Sequence, residues 1–190
     1  RDNTTWQYVL YFGNVTALSI ERGSFRQNAG NLVAITGGTA AINNSVIQGN
    51  RYGAAPLVLV YKATSFVMSR TKVADNKRSL HSPRWASLSG ALAICRCANA
   101  AIYASTVVSN KAEGVSSSAL QVMLSSVVLV SSVLSHNTAD RGGALHLVQS
   151  TAAILQTQFH INCAQNGEGG VMLVENSTVY LSFVVASSNM

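Results

Sequence analysis

Apolar side chains along this chain recur at fixed distances from a series of asparagines. An apolar residue stands three positions before Asn in Phe25/Asn28, Ile47/Asn50, Val73/Asn76, Val107/Asn110, Leu134/Asn137, Phe159/Asn162 and, with a smaller side chain, Ala186/Asn189. Successive asparagines are 22, 26, 34, 27, 25 and 27 residues apart. Ten and eight positions before each Asn lie apolar pairs: Leu18 and Ile20, Ala40 and Ile42, Phe66 and Met68, Ala100 and Ile102, Val127 and Leu129, Ala152 and Ile154, Val179 and Leu181. Members of a pair are two apart, which is the period of one face of a strand. A second series of pairs precedes the first: Leu10 and Phe12, Val33 and Ile35, Val58 and Val60, Leu92 and Ile94, Leu120 and Val122, Leu145 and Leu147, Met172 and Val174.

Self-similarity at a period of about 20 to 50 residues marks a repeat architecture, in which no unit can bury its apolar face alone. Three short strand-like runs per unit predict an all-β fold, a right-handed parallel β-helix (solenoid) of about seven coils with three short strands per coil. At a strand spacing of about 4.8 Å the rod would be roughly 30 to 35 Å long. The asparagines Asn28, Asn50, Asn76, Asn110, Asn137, Asn162 and Asn189 are expected to stack as a structural ladder in one corner, where side-chain amides bond along the axis. The corner between the two apolar walls is read at Thr39, Ser65, Asn99, Ser126, Thr151 and Thr178. Leucine-rich repeats have a similar period but place their leucines differently before Asn, and a left-handed hexapeptide helix fails on period.

The circuit from Asn76 to Asn110 is the longest and carries NKRSLHSPRWASLSG, an inserted basic loop over 77–89. Loops on a rigid solenoid are where binding residues lie, so Lys77, Arg78, Arg84 and Trp85 are the binding candidates. The chain as a whole, 1–190, reads as a single β-helix segment of a longer protein, with this loop inserted in it.

The GGALHL and QFHIN runs resemble the repeats of chlamydial polymorphic outer-membrane proteins and related right-handed β-helix proteins of the pectin-lyase-like superfamily. Their signature, GGA[IL] plus FxxN, is matched by Gly142, Gly143, Ala144 and Leu145 and by Phe159 and Asn162, with variants at GGVMLV and SGALAI and a second FxxN at Phe25 and Asn28. The resemblance implies an extracellular or cell-surface β-helix used in adhesion or as a scaffold, and it does not imply catalysis.

Composition narrows the chemistry. Of 190 residues, 48% are apolar, enough for a substantial core, and only 11% are charged. The charge-free span from 114 to 139 contains eight serines in repeat register, which argues against a membrane helix. The seven acids include no Asp pair on a strand of the kind that cleaves acidic polysaccharides. Glu113, Asp140 and Glu168 follow successive ladder asparagines by three, three and six residues. Stacked, they would form a carboxylate ladder able to hold a hard cation, whereas neighbouring Lys111 and Arg141 favour solvated charges. No catalytic residue and no cofactor is assigned. His81, His136, His146 and His160 fall at unrelated repeat positions. Cys95 and Cys97 lie in one segment and Cys163 about two circuits on, which leaves disulfide pairing open and gives no zinc set.

Residues 51 to 96 hold eight Lys or Arg against Asp75. Such a flank attracts sulfated or uronic glycans or an acidic protein, and without a base-stacking array it does not indicate nucleic acid. Asn3, Asn14, Asn43 and Asn176 open glycosylation sequons, in keeping with secretion. The leading expectation is a non-enzymatic structural or adhesive scaffold at the cell surface or outside the cell. Its partners would be neighbouring subunits or further coils at the ends. The alternative is an anionic-glycan-binding module or degenerate polysaccharide lyase.

Overall fold

The computed structural model describes residues 8–53, 55–78, 88, 90–112 and 119–190. Every strand pairs in parallel with the equivalent strand of the next coil, giving three seven-stranded sheets and a fourth, five-stranded one. One coil reads Leu120–Met123 in the first wall, Ser126–Val130 in the second, Val133–Ser135 in the third and Thr138–Arg141 in the fourth. The parallel β-solenoid expected from the repeat is therefore present, with one wall more than the three expected. That extra wall is made of strands as short as Arg51–Tyr52 and Lys77–Arg78, so the first two residues of the expected basic loop belong to a sheet.

The apolar columns are in register. Leu18, Ala40, Phe66, Ala100, Val127, Ala152 and Val179 pair in succession along the second wall. Leu10, Val33, Val58, Leu92, Leu120, Leu145 and Met172 do so along the first. Phe25, Ile47, Val73, Val107, Leu134, Phe159 and Ala186 form the third. Most of these side chains are buried in one continuous core cluster, since each inward face gains a neighbour above and below only by stacking.

Between walls the chain turns through a residue in the left-handed region. In the representative coil these are Leu124 (φ 50°), Ser131 (φ 49°) and His136 (φ 55°). For a non-glycine residue this conformation costs roughly 1–2 kcal/mol. It is held because the residue that follows points its side chain into the rod: Ser125, Ser132 and Asn137 are all buried. The same turn directs that residue's N–H toward the next coil, where a side-chain oxygen receives it. Ser105 N–H donates to Ser132 Oγ at 3.2 Å and Asn110 N–H to Asn137 Oδ1 at 3.0 Å. A corner column is thus a device for satisfying a backbone donor that no carbonyl reaches.

The paired glycines have a steric cause. A Cβ on Gly143 would lie 2.2 Å from the carbonyl oxygen of Gly170, and Gly142 has a φ of 61°. The Gly142–Gly143 step therefore carries the chain from the fourth wall back to the first where only backbone fits.

Candidate functional site

The seven ladder asparagines form an unbroken hydrogen-bonded column. Asn110 shows the full pattern: its Oδ1 accepts from Asn76 N–H at 3.2 Å and Asn76 Nδ2 at 2.9 Å. Its own Nδ2 donates to the Val73 carbonyl at 3.0 Å and to Asn137 Oδ1 at 3.1 Å. An amide has two donors and two acceptor lone pairs, and here all four are used. The links continue from Asn28 through Asn50 at one end to Asn189 at the other.

A second column, which the sequence reading missed, lies between the second and third walls: Ser45, Thr71, Ser105, Ser132 and Thr157, all buried. A third joins Cys97, Ser125, Ser150 and Ser177 between the first and second walls through successive N–H to Oγ bonds of 2.9, 3.2 and 2.9 Å. The corner residues expected there, Thr39, Ser65, Asn99, Ser126, Thr151 and Thr178, instead open the second-wall strands and are exposed or half-exposed. An open groove follows this corner past Leu124, Ser126, Gln149, Thr151 and Asn176.

The residue after each ladder Asn starts the fourth wall, and there the basic residues converge. Arg51 pairs with Lys77 and Lys77 with Lys111, with Thr138 and Cys163 continuing the column. Arg51 and Lys77 are exposed and Lys111 is half-buried. Their backbones are fixed by the ladder: Arg51, Lys77 and Lys111 donate their N–H to the carbonyls of Asn28, Asn50 and Asn76 at 2.9, 2.9 and 2.8 Å.

Arg78 behaves differently from Lys77. It pairs with Tyr52 on the inward side of the fourth wall and is only 2% exposed, so it is no surface cation. Its Nε donates to the Gly53 carbonyl at 3.2 Å. Burial pulls its pKa down, opposed by the nearby Tyr52 and Asp140. Burial likewise pushes the Tyr52 hydroxyl well above the usual tyrosine range, with Arg78 opposing. The other two binding candidates, Arg84 and Trp85, lie outside the described residues, as do Glu113, Asn3 and His81.

Of the expected carboxylate ladder, Asp140 is half-buried and Glu168 is exposed. Glu168 pairs in register with Arg141, whose Nε donates to its carboxylate. Arg141 Nη2 also lies 3.7 Å from Glu175 Oε1, and buried His146 approaches that same oxygen at 3.7 Å through Nε2. Among the described residues no three His, Cys, Asp or Glu are grouped so as to hold a metal ion. Asn14 and Asn176 are exposed at left-handed corners, and Asn43 is half-buried with its Oδ1 accepting from Ser69. Cys95, Cys97 and Cys163 are free thiols, and burial raises the pKa of the first two. No helix among the described residues is long and apolar enough to cross a membrane. No protein-family model, curated protein or solved structure matches the chain.

Proposed function

We propose that this chain is a non-enzymatic structural or adhesive β-helix of an extracellular or cell-surface protein, working as a segment of a larger protein or assembly. Kinship with the GGA[IL]/FxxN repeats of the pectin-lyase-like superfamily is part of the same reading. The observation that carries it is the seven-fold asparagine column with its two hydroxyl companions. These commit the buried corner side chains to bonds along the axis, which is what an extended rod requires. In the last coil Leu181 is 59%, Phe183 84% and Val185 57% exposed, an apolar surface suited to a further coil or a neighbouring subunit.

The test has two arms. Incubated with a panel of uronic and sulfated polysaccharides, the purified chain should release no new reducing ends and no unsaturated products. Turnover of any of them would overturn the non-enzymatic reading. Expressed through a eukaryotic secretory route, the chain should carry glycans at Asn14 and Asn176, the two exposed sequons among the described residues, when peptides are mapped by mass spectrometry. Unmodified asparagines at both sites would count against the extracellular setting.

A further inference from the structure

We propose that the Arg51–Lys77–Lys111 column is a binding strip for a linear sulfated glycan lying along the rod axis. This goes beyond the scaffold reading and stands or falls separately from it. The three cations occupy the same position of three consecutive coils, directly paired across the fourth wall. Like charges opposite one another in a sheet repel, so the arrangement is disfavoured by the fold itself. It is nevertheless rigid, because each cation follows a buried ladder asparagine and hangs from the carbonyl of the asparagine one coil earlier.

Neither Arg51 nor Lys77 forms an ion pair with a described residue. Asp75, at the corner just before Lys77, accepts from Gln48 Nε2 at 2.8 Å. The strip is bounded: the next positions of the column are Thr138 and Cys163, which carry no positive charge. Charges held at the strand spacing of about 4.8 Å along one line are complementary to an extended chain with a charge on successive rings. Planar carboxylates reward bidentate arginine forks, whereas this column has two lysines, which act as point charges and suit the non-planar sulfate ester. The adjoining corner positions Gln27, Gly49, Asp75 and Ser109 supply no aromatic face on which a nucleobase could stack.

The experiment measures binding of the 190-residue chain to heparin, to hyaluronate as a carboxylate-only linear glycan, and to a single-stranded oligonucleotide, over a salt series. Heparin should bind. The Arg51→Gln/Lys77→Gln double variant should lose roughly tenfold or more in affinity and flatten the log–log salt slope by about 1.5. An Arg22→Gln/Arg70→Gln double variant removes the same charge from two exposed corners of another edge and should change affinity less than about twofold. Circular dichroism melts of both variants establish that they are folded. Equal loss in the second variant would reduce the effect to net charge and overturn the strip. So would no heparin binding, or hyaluronate or the oligonucleotide binding as tightly as heparin.

Discussion

At the corner between the third and fourth walls, the column carries an amide in every coil. At the corner between the second and third walls it carries a hydroxyl in the middle coils, Ser45 to Thr157, but Gly23 and Val184 at the two ends. Both corners use the same left-handed turn and present the same stranded N–H. They differ in how many bonds the inward side chain can make. The amide links two coils side chain to side chain and also ties a carbonyl of the previous coil, as Asn76 Nδ2 does with Ile47 at 3.1 Å. The hydroxyl has one proton, which Ser105 and Ser132 give at 2.8 to 2.9 Å to the carbonyl two residues back, so there only the oxygen works between coils, while Thr71 and Thr157 also reach a carbonyl of the previous coil at the longer distances of 3.2 and 3.4 Å. An amide column is therefore a chain of mutual dependence, and a hydroxyl column has fewer bonds per coil and no side-chain-to-side-chain link.

Breaking the amide column in the middle gives the largest effect. Asn110→Ala removes the acceptor for Asn76 N–H and Asn76 Nδ2 and the donor for the Val73 carbonyl, all inside the rod. Each buried group left without a partner costs about 1–3 kcal/mol, so urea unfolding should show a loss of about 3 kcal/mol or more. A loss below about 1 kcal/mol would mean the column contributes little beyond packing. The equivalent break at the hydroxyl corner is milder. Ser132→Ala strands only the Ser105 N–H, because the Val130 carbonyl that Ser132 served also accepts from Ala104 N–H at 3.0 Å. The same titration should read a loss of about 1–2 kcal/mol. If the two variants prove equal, the distinction between the corners is wrong.

This difference also explains what the sequence disclosed. The asparagines were legible because only an amide serves that corner, so one residue type recurs and sets the offsets from which three walls could be counted. The hydroxyl column was within reach, since Ser45, Thr71, Ser105, Ser132 and Thr157 each stand five residues before a ladder Asn. It went unseen because a position that accepts Ser, Thr, Gly or Val has no single letter to follow. At the remaining corner the reading fell one residue late: Ser125 and Ser126, or Ser150 and Thr151, are adjacent hydroxyls, and nothing in their chemistry says which one turns inward. The fourth wall was hidden more deeply. Its strands contribute two residues in several coils, too few for alternation, and the first position reads Arg51, Lys77, Lys111, Thr138 and Cys163, with no common character. From sequence the basic residues read only as a flank, and their alignment in a column is a property of the register. Arg78, next to exposed Lys77, could not be separated from it by sequence because the inward position of this wall is not consistently apolar: it holds Tyr52 and Arg78 before Ala112, Ala139 and Ala164.

The smallest effect tests how far a hydroxyl column tolerates a change of atom. Cys97 occupies a hydroxyl position, with its N–H given to Ser125 Oγ at 2.9 Å and its Sγ 3.5 Å from the Asn99 carbonyl. In Ser125, Ser150 and Ser177 the Oγ instead donates to the carbonyl two residues back, at 2.7, 2.7 and 2.8 Å. Cys97→Ser can adopt that bond, since the Cys95 carbonyl lies two residues back and, like the Met123 carbonyl that serves Ser125, accepts one backbone N–H, from Lys62 at 2.9 Å. The gain of one hydrogen bond offsets the loss of a buried sulfur, so the unfolding free energy should move by less than about 0.5 kcal/mol. The thiols supply a second readout. Burial raises the pKa of Cys95 and Cys97, so at neutral pH each holds less of the reactive thiolate, and a native-state thiol titration should modify half-buried Cys163 first. Removing Cys97 should then leave the fast phase of that titration unchanged. If Cys97→Ser abolishes the fast phase, this corner opens on the timescale of the reagent, and its column holds the coils less tightly than the geometry requires.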